Sequence, residues 1–408
     1  MGKYTAPIAV TSLLGLILAL AGCAPSSLVA PALDLTERAV IERPSFTDDD
    51  EARMAQENAR NFETENEMWD DPLLEAYLTD MLQRLVAVAE PRPFPYRVRV
   101  VRDANVNAFT FGGGLIYFNA GLIARMENEA QLASVMAHEL VHVTHRHVPR
   151  GIERAYTTTL LGDVAMVGAT AVGARSGALG AALDKTYEYT MNAAINGHGR
   201  AQEAEADEVG MALLVEAGYD PREAAGAFEL LLAEYGDQAP VVNFFYGSHP
   251  TLVERIERSR ALAASRYGDR VAAERLGVNS EEFKRRTREL VVITGVLDYE
   301  GKRFNTARAM FEKAAAVWDG DPLPPYYLGK ITLETGAETE VALAITHFDA
   351  AIAADPAFAP AHRELGTAHY RNGDGQGAVL AFERYLELEP DAEDAERIAA
   401  TITELKRY

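Results

Sequence analysis

The chain has 408 residues, of which 48% are hydrophobic and 25% charged; this excludes a disordered protein and is enough for about two or three domains with apolar cores. Its 39 Lys and Arg against 61 Asp and Glu give a formal charge of −22, which argues against nonspecific binding of nucleic acid. A single cysteine excludes an internal disulfide framework and a thiolate zinc cluster.

The N-terminal residues have the pattern of a secretory signal. Lys3 precedes an apolar run over residues 8–20, which is shorter than the roughly 20 residues that a membrane-spanning helix needs. The sequence Leu-Ala-Gly-Cys that ends at Cys23 resembles the bacterial lipobox, in which the cysteine is acylated. The alternatives are a plain signal peptide and an uncleaved anchor. We predict a lipoprotein signal peptide over residues 1–22, a lipid anchor at Cys23 and a tether over residues 23–47.

Helical and strand-like segments follow in turn. Helix-favouring composition and apolar periodicity predict two helices and then three strands, over residues 48–68, 73–88, 96–101, 107–111 and 115–118. The last two strands are joined by three glycines at positions 112–114. These glycines indicate either a simple hairpin turn or an edge to which an extended substrate adds by main-chain hydrogen bonds.

A helix predicted over residues 127–147 carries the pattern H-E-x-x-H. His138 and His142 are four residues apart and therefore project from one face of a helix, where two imidazoles can share one zinc ion. Glu139 would lie beside a water that the metal acidifies, and its carboxylate would take the proton. The alternative is a pair of surface histidines on an ordinary helix.

Two further histidines follow the motif, and we predict that neither binds the same ion. His145 lies seven residues after His138, about 10 Å along a helix, which is too far unless the helix breaks. We expect His145 and His147 to be exposed or structural. Pro149 and Gly151 are expected to end the helix.

A catalytic zinc needs three protein ligands, and an acidic segment downstream offers the third. Glu203 and Asp207 are four residues apart and share a helix face, whereas Glu205 points nearly opposite. Glu203 can bind zinc while Asp207 accepts a hydrogen bond from the ring N–H of a ligand imidazole and fixes its tautomer. A solvated acidic helix face is the alternative. The helices predicted here cover residues 201–217, 222–235 and 251–266.

The segment 160–183, between the two halves of this predicted site, is apolar and rich in glycine and alanine. Asp163 and Arg175 interrupt it, which argues against a membrane-spanning helix. We expect a mobile helical pair or loop near the site, able to touch a membrane or a partner.

The last third of the chain has a repeat. Pro322, Pro356 and Pro390 are 34 residues apart, which is the period of tetratricopeptide repeats. Small and aromatic residues recur at the positions where paired helices pack, and the earliest unit, with Gly295 and Phe311, lies three residues out of phase. Helical hairpins without repeat ancestry are the alternative.

Together, H-E-x-x-H at 138–142 and E-x-E-A-D-x-x-G at 203–210 resemble the motifs of the HtpX-like and CAAX-prenyl-protease-like gluzincins. The resemblance covers about residues 66–408. It implies an α+β, mainly α fold, with a zinc metallopeptidase domain that contains a small sheet over residues 48–285 and a tetratricopeptide α-solenoid over residues 286–408. It also implies one zinc ion per chain and these site residues: His138, His142 and Glu203 as ligands, Glu139 as the catalytic residue and Asp207 as support. Residues 107–114 are similar to the edge strand beside the metal in that family.

Ser248-His249-Pro250 also resembles a motif of these gluzincins. In that family the histidine can occupy the open zinc position and hold the enzyme latent. His249 could instead stabilise the oxyanion of the transition state, or be a structural histidine before a helix.

A soluble gluzincin domain followed by tetratricopeptide repeats resembles periplasmic proteases that work with the outer-membrane β-barrel assembly machinery. The resemblance implies a zinc endopeptidase in quality control or assembly of outer-membrane proteins. Its substrates would be unfolded or misassembled envelope proteins, its repeats would bind the assembly machinery, and nucleic acid would not be a partner. Ala24 after Cys23 indicates a lipid-anchored protein on the periplasmic face of the outer membrane. The competing hypothesis is a chaperone or assembly scaffold with little proteolysis.

Overall fold

The computed structural model describes residues 47–154, 199–235, 251–336 and 340–407. Cys23, the segment 160–183 and His249 lie outside these ranges, so the expectations for them remain predictions. Within the described ranges the chain is mostly helical with one three-stranded sheet, which confirms the predicted fold class. None of the described helices combines the length and the hydrophobicity that crossing a membrane requires.

Two helices and the three strands of the sheet come first among the described elements. Their bounds are α1 Asp48–Glu65, α2 Pro72–Val86, β1 Arg97–Val101, β2 Ala108–Thr110 and β3 Leu115–Asn119. The strand order is β1-β3-β2, with β1 parallel and β2 antiparallel to β3, so β2 lies at one end of the sheet. Side chains alternate along β3 as a strand requires: Ile116 and Phe118 enter the main core, while Tyr117 packs beneath α1.

The three glycines form the turn between β2 and β3. Gly112, Gly113 and Gly114 have φ angles of 90°, 63° and 84°, in the left-handed region that favours glycine. A Cβ on Gly113 would lie 2.8 Å from the Cβ of Ala55 in α1. The glycines therefore make a hairpin turn that lets α1 approach closely, and substrate addition at this edge remains a prediction.

Among the described residues, the predicted peptidase region also contains the helices α3 Ala120–Arg125, α4 Glu129–Thr144, α5 Arg200–Glu216, α6 Glu223–Tyr235 and α7 Leu252–Ala273. The motif helix α4 is central, since α2, β2, β3, α5 and α6 all contact it. His138 is 7% exposed and His142 is 2% exposed. This burial rules out a surface pair of histidines.

The motif helix ends earlier than the sequence pattern predicts. It stops at Thr144, and the chain turns through Arg146, whose φ angle is 57°. Helical structure then resumes over residues 147–154. Our expectation that Pro149 and Gly151 end the helix is therefore wrong: both lie inside the new helical segment, whose first turn accommodates a proline because the amide there needs no helical acceptor.

Seven helices follow in the described residues: α8 Ser280–Glu300, α9 Phe304–Val317, α10 Leu323–Thr335, α11 Val341–Ala354, α12 Ala359–Arg371, α13 Gly375–Leu388 and α14 Ala395–Leu405. The first six pack as three consecutive pairs, and α14 packs on α13. In each of three pairs a glycine of the first helix packs on a phenylalanine ring of the second, with no room for a Cβ: Gly295 on Phe311, Gly329 on Phe348 and Gly366 on Phe382. This repeated contact is the structural basis of the sequence period.

The phase shift of the earliest unit has a local cause. Phe348 follows its glycine by three residues more than Phe311 and Phe382 follow theirs. The extra residues fall across the connection between α10 and α11. Later units are displaced by three residues, while the packing of glycine on phenylalanine is kept.

Helix α8 joins the repeats to the peptidase region. Nη2 of Arg125 lies 3.3 Å from Oδ2 of Asp298 on α8, and both side chains are buried. Nζ of Lys313 donates to the carbonyls of Ala124 at 2.9 Å and Met126 at 2.7 Å. The predicted boundary at residues 285–286 falls inside α8, and the domain division remains a prediction.

Candidate metal centre

Helices α4 and α5 lie side by side at the motif, and a glycine allows their close approach. A Cβ on Gly210 would lie 3.1 Å from the backbone nitrogen of His138, so a larger residue there would push α5 away. The contact brings Glu203, one turn into α5, against the face of α4 that carries the two histidines. The last glycine of the E-x-E-A-D-x-x-G pattern thus has a packing role.

Three side chains that can ligate a metal converge between α4 and α5. Nε2 of His138 lies 3.0 Å from Nε2 of His142 and 3.2 Å from Oε2 of Glu203. Nε2 of His142 lies 3.5 Å from Oε1 of Glu203. All three side chains are buried, with Glu203 only 3% exposed.

This donor set fits a divalent cation. Ligand atoms at about 2.0–2.1 Å from a tetrahedral zinc ion lie about 3.3 Å from one another, and two imidazoles with one carboxylate form a known catalytic zinc set. The separations of 3.0, 3.2 and 3.5 Å bracket that spacing. Burial disfavours a charged His138, yet Glu203 and Asp207 outweigh it and raise the pKa of His138 to about 10. The pocket therefore favours positive charge.

The second ring nitrogen of His138, Nδ1, contacts a carboxylate. Nδ1 of His138 lies 3.0 Å from Oδ1 of Asp207, and Nη2 of Arg255 lies 2.5 Å from the same oxygen. Burial works to raise the pKa of Asp207, but Arg255 and His138 outweigh it and keep that pKa below its usual value. Asp207 is therefore a charged acceptor for an Nδ1–H of His138.

Glu139 belongs to the same buried group. Ligand-type atoms of His138, Glu139 and His142 lie within 4.8 Å of one another. Burial raises the pKa of Glu139 to about 8; charge on His138 opposes this shift, and the charge of Glu203 adds to it. A carboxylate with a pKa near neutrality suits proton transfer in both directions.

A second group of side chains lies behind His142. Nδ1 of His142 is 2.7 Å from Nδ1 of His147, which is fully buried. Glu205 contacts two histidines: its Oε2 lies 3.3 Å from Nε2 of His147 and its Oε1 lies 2.7 Å from Nδ1 of His145. The side chain of His145 is 33% exposed. Glu205 points away from the convergent donors, as predicted from its helix position.

Arg255 is the residue of this centre that the sequence interpretation missed, although a signal was present. It lies on the apolar face of α7 among Leu252, Ile256 and Ser259. A charged residue at a buried helical position needs a partner of opposite charge. That rule would have directed attention from Arg255 to a buried carboxylate.

Comparison with known proteins is consistent with this geometry. Residues 72–263 match the model of peptidase family M48. The beta-barrel assembly-enhancing protease of Escherichia coli K12 is 34% identical over 193 residues, which cover 47% of this chain and 39% of that protein. Its Vibrio cholerae counterpart is 31% identical over 246 residues, 60% of this chain and 50% of that protein. The mitochondrial metalloendopeptidase OMA1 of Schizosaccharomyces pombe is 27% identical over 232 residues, 54% of this chain and 64% of that protein.

The chain thus spans about half the length, or less, of the assembly-enhancing proteases that it matches. Among solved structures, the TPR domain of Arabidopsis OM64 is 21% identical and covers 30% of this chain and 95% of that one, with a TM-score of 0.27.

Proposed function

We propose that this chain is a zinc-dependent endopeptidase of the cell envelope, because residues 72–263 match the model of peptidase family M48. The observation that carries the proposal is the convergence of His138, His142 and Glu203 within 3.5 Å of one another, with Glu139 beside them. In this proposal the first three residues hold one zinc ion. When bound, the ion lowers the pKa of a water and polarises the peptide carbonyl.

The protein's own contribution to the reaction is proton transfer. Glu139 accepts a proton on its carboxylate from the attacking water and returns it to the nitrogen of the leaving amine. Its raised pKa of about 8 reflects the buried site alone, and a bound cation would lower it towards the range of a base. Asp207 keeps His138 in the tautomer with a free Nε2.

Substrate binding is assigned to the end of the sheet. Strand β2 contacts α4, and it is the end strand on the side of the motif. An extended peptide that adds to β2 through main-chain hydrogen bonds would lie across the catalytic helix. Such binding suits unfolded segments, because a folded strand has already paired its backbone groups.

The biological setting is inferred from relatives and from the N-terminus. The beta-barrel assembly-enhancing proteases support a role in the quality control or assembly of outer-membrane proteins. The repeats would bind envelope proteins or the β-barrel assembly machinery, and Cys23 would anchor the chain at the periplasmic face of the outer membrane. His249 would hold the enzyme latent by taking the open zinc position.

The test is zinc content together with cleavage of an unfolded outer-membrane protein. We expect one zinc ion per chain, lost in Glu203→Ala and kept in the neighbouring surface variant Glu208→Ala. Cleavage should be slow in the wild type and faster in His249→Ala. If both proteins hold zinc and neither cleaves, the protease proposal fails, and a scaffold that binds outer-membrane proteins through its repeats becomes the function.

A further inference from the structure

The three acids of the E-x-E-A-D segment divide between the two histidines of the motif. Glu203 lies between the Nε2 atoms, and Asp207 binds Nδ1 of His138. Glu205 reaches His142 indirectly, through His147. His142 → His147 → Glu205 is therefore a continuous polar chain behind the second histidine.

The turn after α4 builds this chain. In an uninterrupted helix, a residue five positions on lies about 140° around the axis, so His147 would face away from His142. The helix stops at Thr144 and the backbone turns at Arg146 with a φ angle of 57°. This turn returns the ring of His147 to a position directly behind His142, at 0% exposure. A left-handed non-glycine residue is costly, which indicates that the surrounding structure enforces it.

The number of protons on the two imidazoles sets the direction of the hydrogen bonds from His142 to Glu205. Two imidazole nitrogens 2.7 Å apart are stable only with one proton between them, since each neutral ring has one donor and one acceptor nitrogen. Nε2 of His142 faces Glu203 and His138, so as a metal ligand it must carry no proton. Nδ1 of His142 then carries the proton and donates to Nδ1 of His147. His147 in turn carries its proton on Nε2 and donates to Glu205.

We propose that His147, oriented by Glu205, is a positioning residue that fixes the tautomer and ring orientation of His142. It does for the second histidine what Asp207 does for the first. This inference rests on the proposed function, because it treats His142 as a zinc ligand.

His145, His147 and Glu205 also have the composition of a second metal site, with ligand-type atoms within 4.8 Å of one another. The proton count opposes that role. A metal at Nε2 of His147 would need that nitrogen unprotonated, yet Nδ1 already accepts the proton of His142, so His147 would have to be an imidazolate anion.

The test compares two substitutions of His147 in the full chain. The oxygen of Asn can occupy the place of Nδ1 and still accept from His142, whereas the amide of Gln occupies the place of Nε2 and leaves His142 without that acceptor. Both are polar and uncharged, so a general loss of packing affects them alike. Zinc affinity is measured by competition with a chromophoric chelator, and zinc stoichiometry by metal analysis. His145→Asn is the control, because His145 contacts Glu205 but stands outside the chain to His142.

We expect His147→Gln to bind zinc about 10- to 100-fold more weakly than the wild type, while His147→Asn keeps most of the affinity and His145→Asn keeps all of it. Equal losses in the Asn and Gln variants, or no loss in either, overturn the proposal while zinc binding by the wild type still stands. A second zinc ion per chain that disappears in His145→Asn overturns it in favour of the second metal site. Failure of the wild type to bind zinc contradicts the proposed function itself.

Discussion

Nδ1 of His138 lies 3.0 Å from Oδ1 of Asp207, on the side of the ring opposite the three convergent donors. Arg255 binds the same carboxylate from α7. One aspartate thus connects the motif helix to two other helices and sets the orientation of a candidate ligand. The arrangement predicts that metal affinity depends on a residue that is not itself a candidate ligand.

Asp207→Ala should therefore weaken zinc binding by about 10- to 100-fold, because the His138 ring loses the acceptor that fixes its tautomer. Chelator competition on the full chain measures the effect. Glu208→Ala is the matched control: it is the next residue on α5, its side chain is 51% exposed, and it pairs with Arg266 at the surface. An Asp207→Ala protein with the zinc affinity of Glu208→Ala would contradict the role of Asp207.

The first residue of the motif helix is held by a buried network. Glu129 accepts hydrogen bonds from Tyr77 at 2.5 Å, Tyr219 at 2.7 Å, Asn279 at 2.9 Å and Arg84 at 2.8 Å. Burial by itself raises the pKa of Glu129, but these donors outweigh it and lower that pKa below its usual value. Charge on Glu129 therefore stabilises the fold.

Glu129→Gln should lower the free energy of unfolding at pH 7 by about 2–3 kcal/mol, since hydrogen bonds to a charged group are lost. A carboxylate whose pKa is lowered in the folded state stabilises the protein above its unfolded pKa of about 4.3, and this contribution disappears as the pH falls through the folded pKa. The difference between variant and wild type should thus be largest near neutrality and shrink in acid.

Denaturant unfolding at several pH values measures this difference. Glu127→Gln provides the control, because the Glu127 side chain is 46% exposed and its ion pair with the more buried Lys313 at 3.1 Å is partly open to water, so a smaller loss is expected. A penalty for Glu129→Gln that is the same at every pH would show that packing, and not charge, is responsible.

The packing role of the repeat glycines can be tested by comparing one of them with a glycine that has no close neighbour. A Cβ on Gly366 would collide with the ring of Phe382, whereas nothing lies within 4 Å of a Cβ on Gly268 in α7. Overpacking costs about 1–3 kcal/mol, and relief of a helical glycine gains about 0.5–1 kcal/mol. Gly366→Ala should lower the thermal unfolding midpoint measured by helical circular dichroism, and Gly268→Ala should raise it. Shifts of the same sign would contradict the packing argument.

Local periodicity was sufficient to predict much of this structure. Five of the six described elements before the motif helix were predicted within a few residues of their observed bounds, because caps and apolar alternation act over short distances. The short helix α3 was not predicted. The pairing of Glu203 with His138 and His142 was also predictable, since a missing ligand and an acidic helix face complement each other. The position of His147 was not, because it depends on a left-handed turn at Arg146 that no residue type there demands. The buried helix position of Arg255 indicates that it needs a partner of opposite charge, but the sequence does not show which carboxylate that partner is.

The central claim is that Glu139 transfers protons in a peptidase whose zinc is held by other residues. Cleavage of an unfolded outer-membrane protein by His249→Ala, with and without the additional change Glu139→Gln, tests it most directly when zinc content is measured on the same samples. We predict that both proteins hold one zinc ion per chain and that Glu139→Gln reduces the cleavage rate at least about 100-fold, within the range that general acid–base catalysis contributes. Equal cleavage by the two proteins at equal zinc content would contradict the claim.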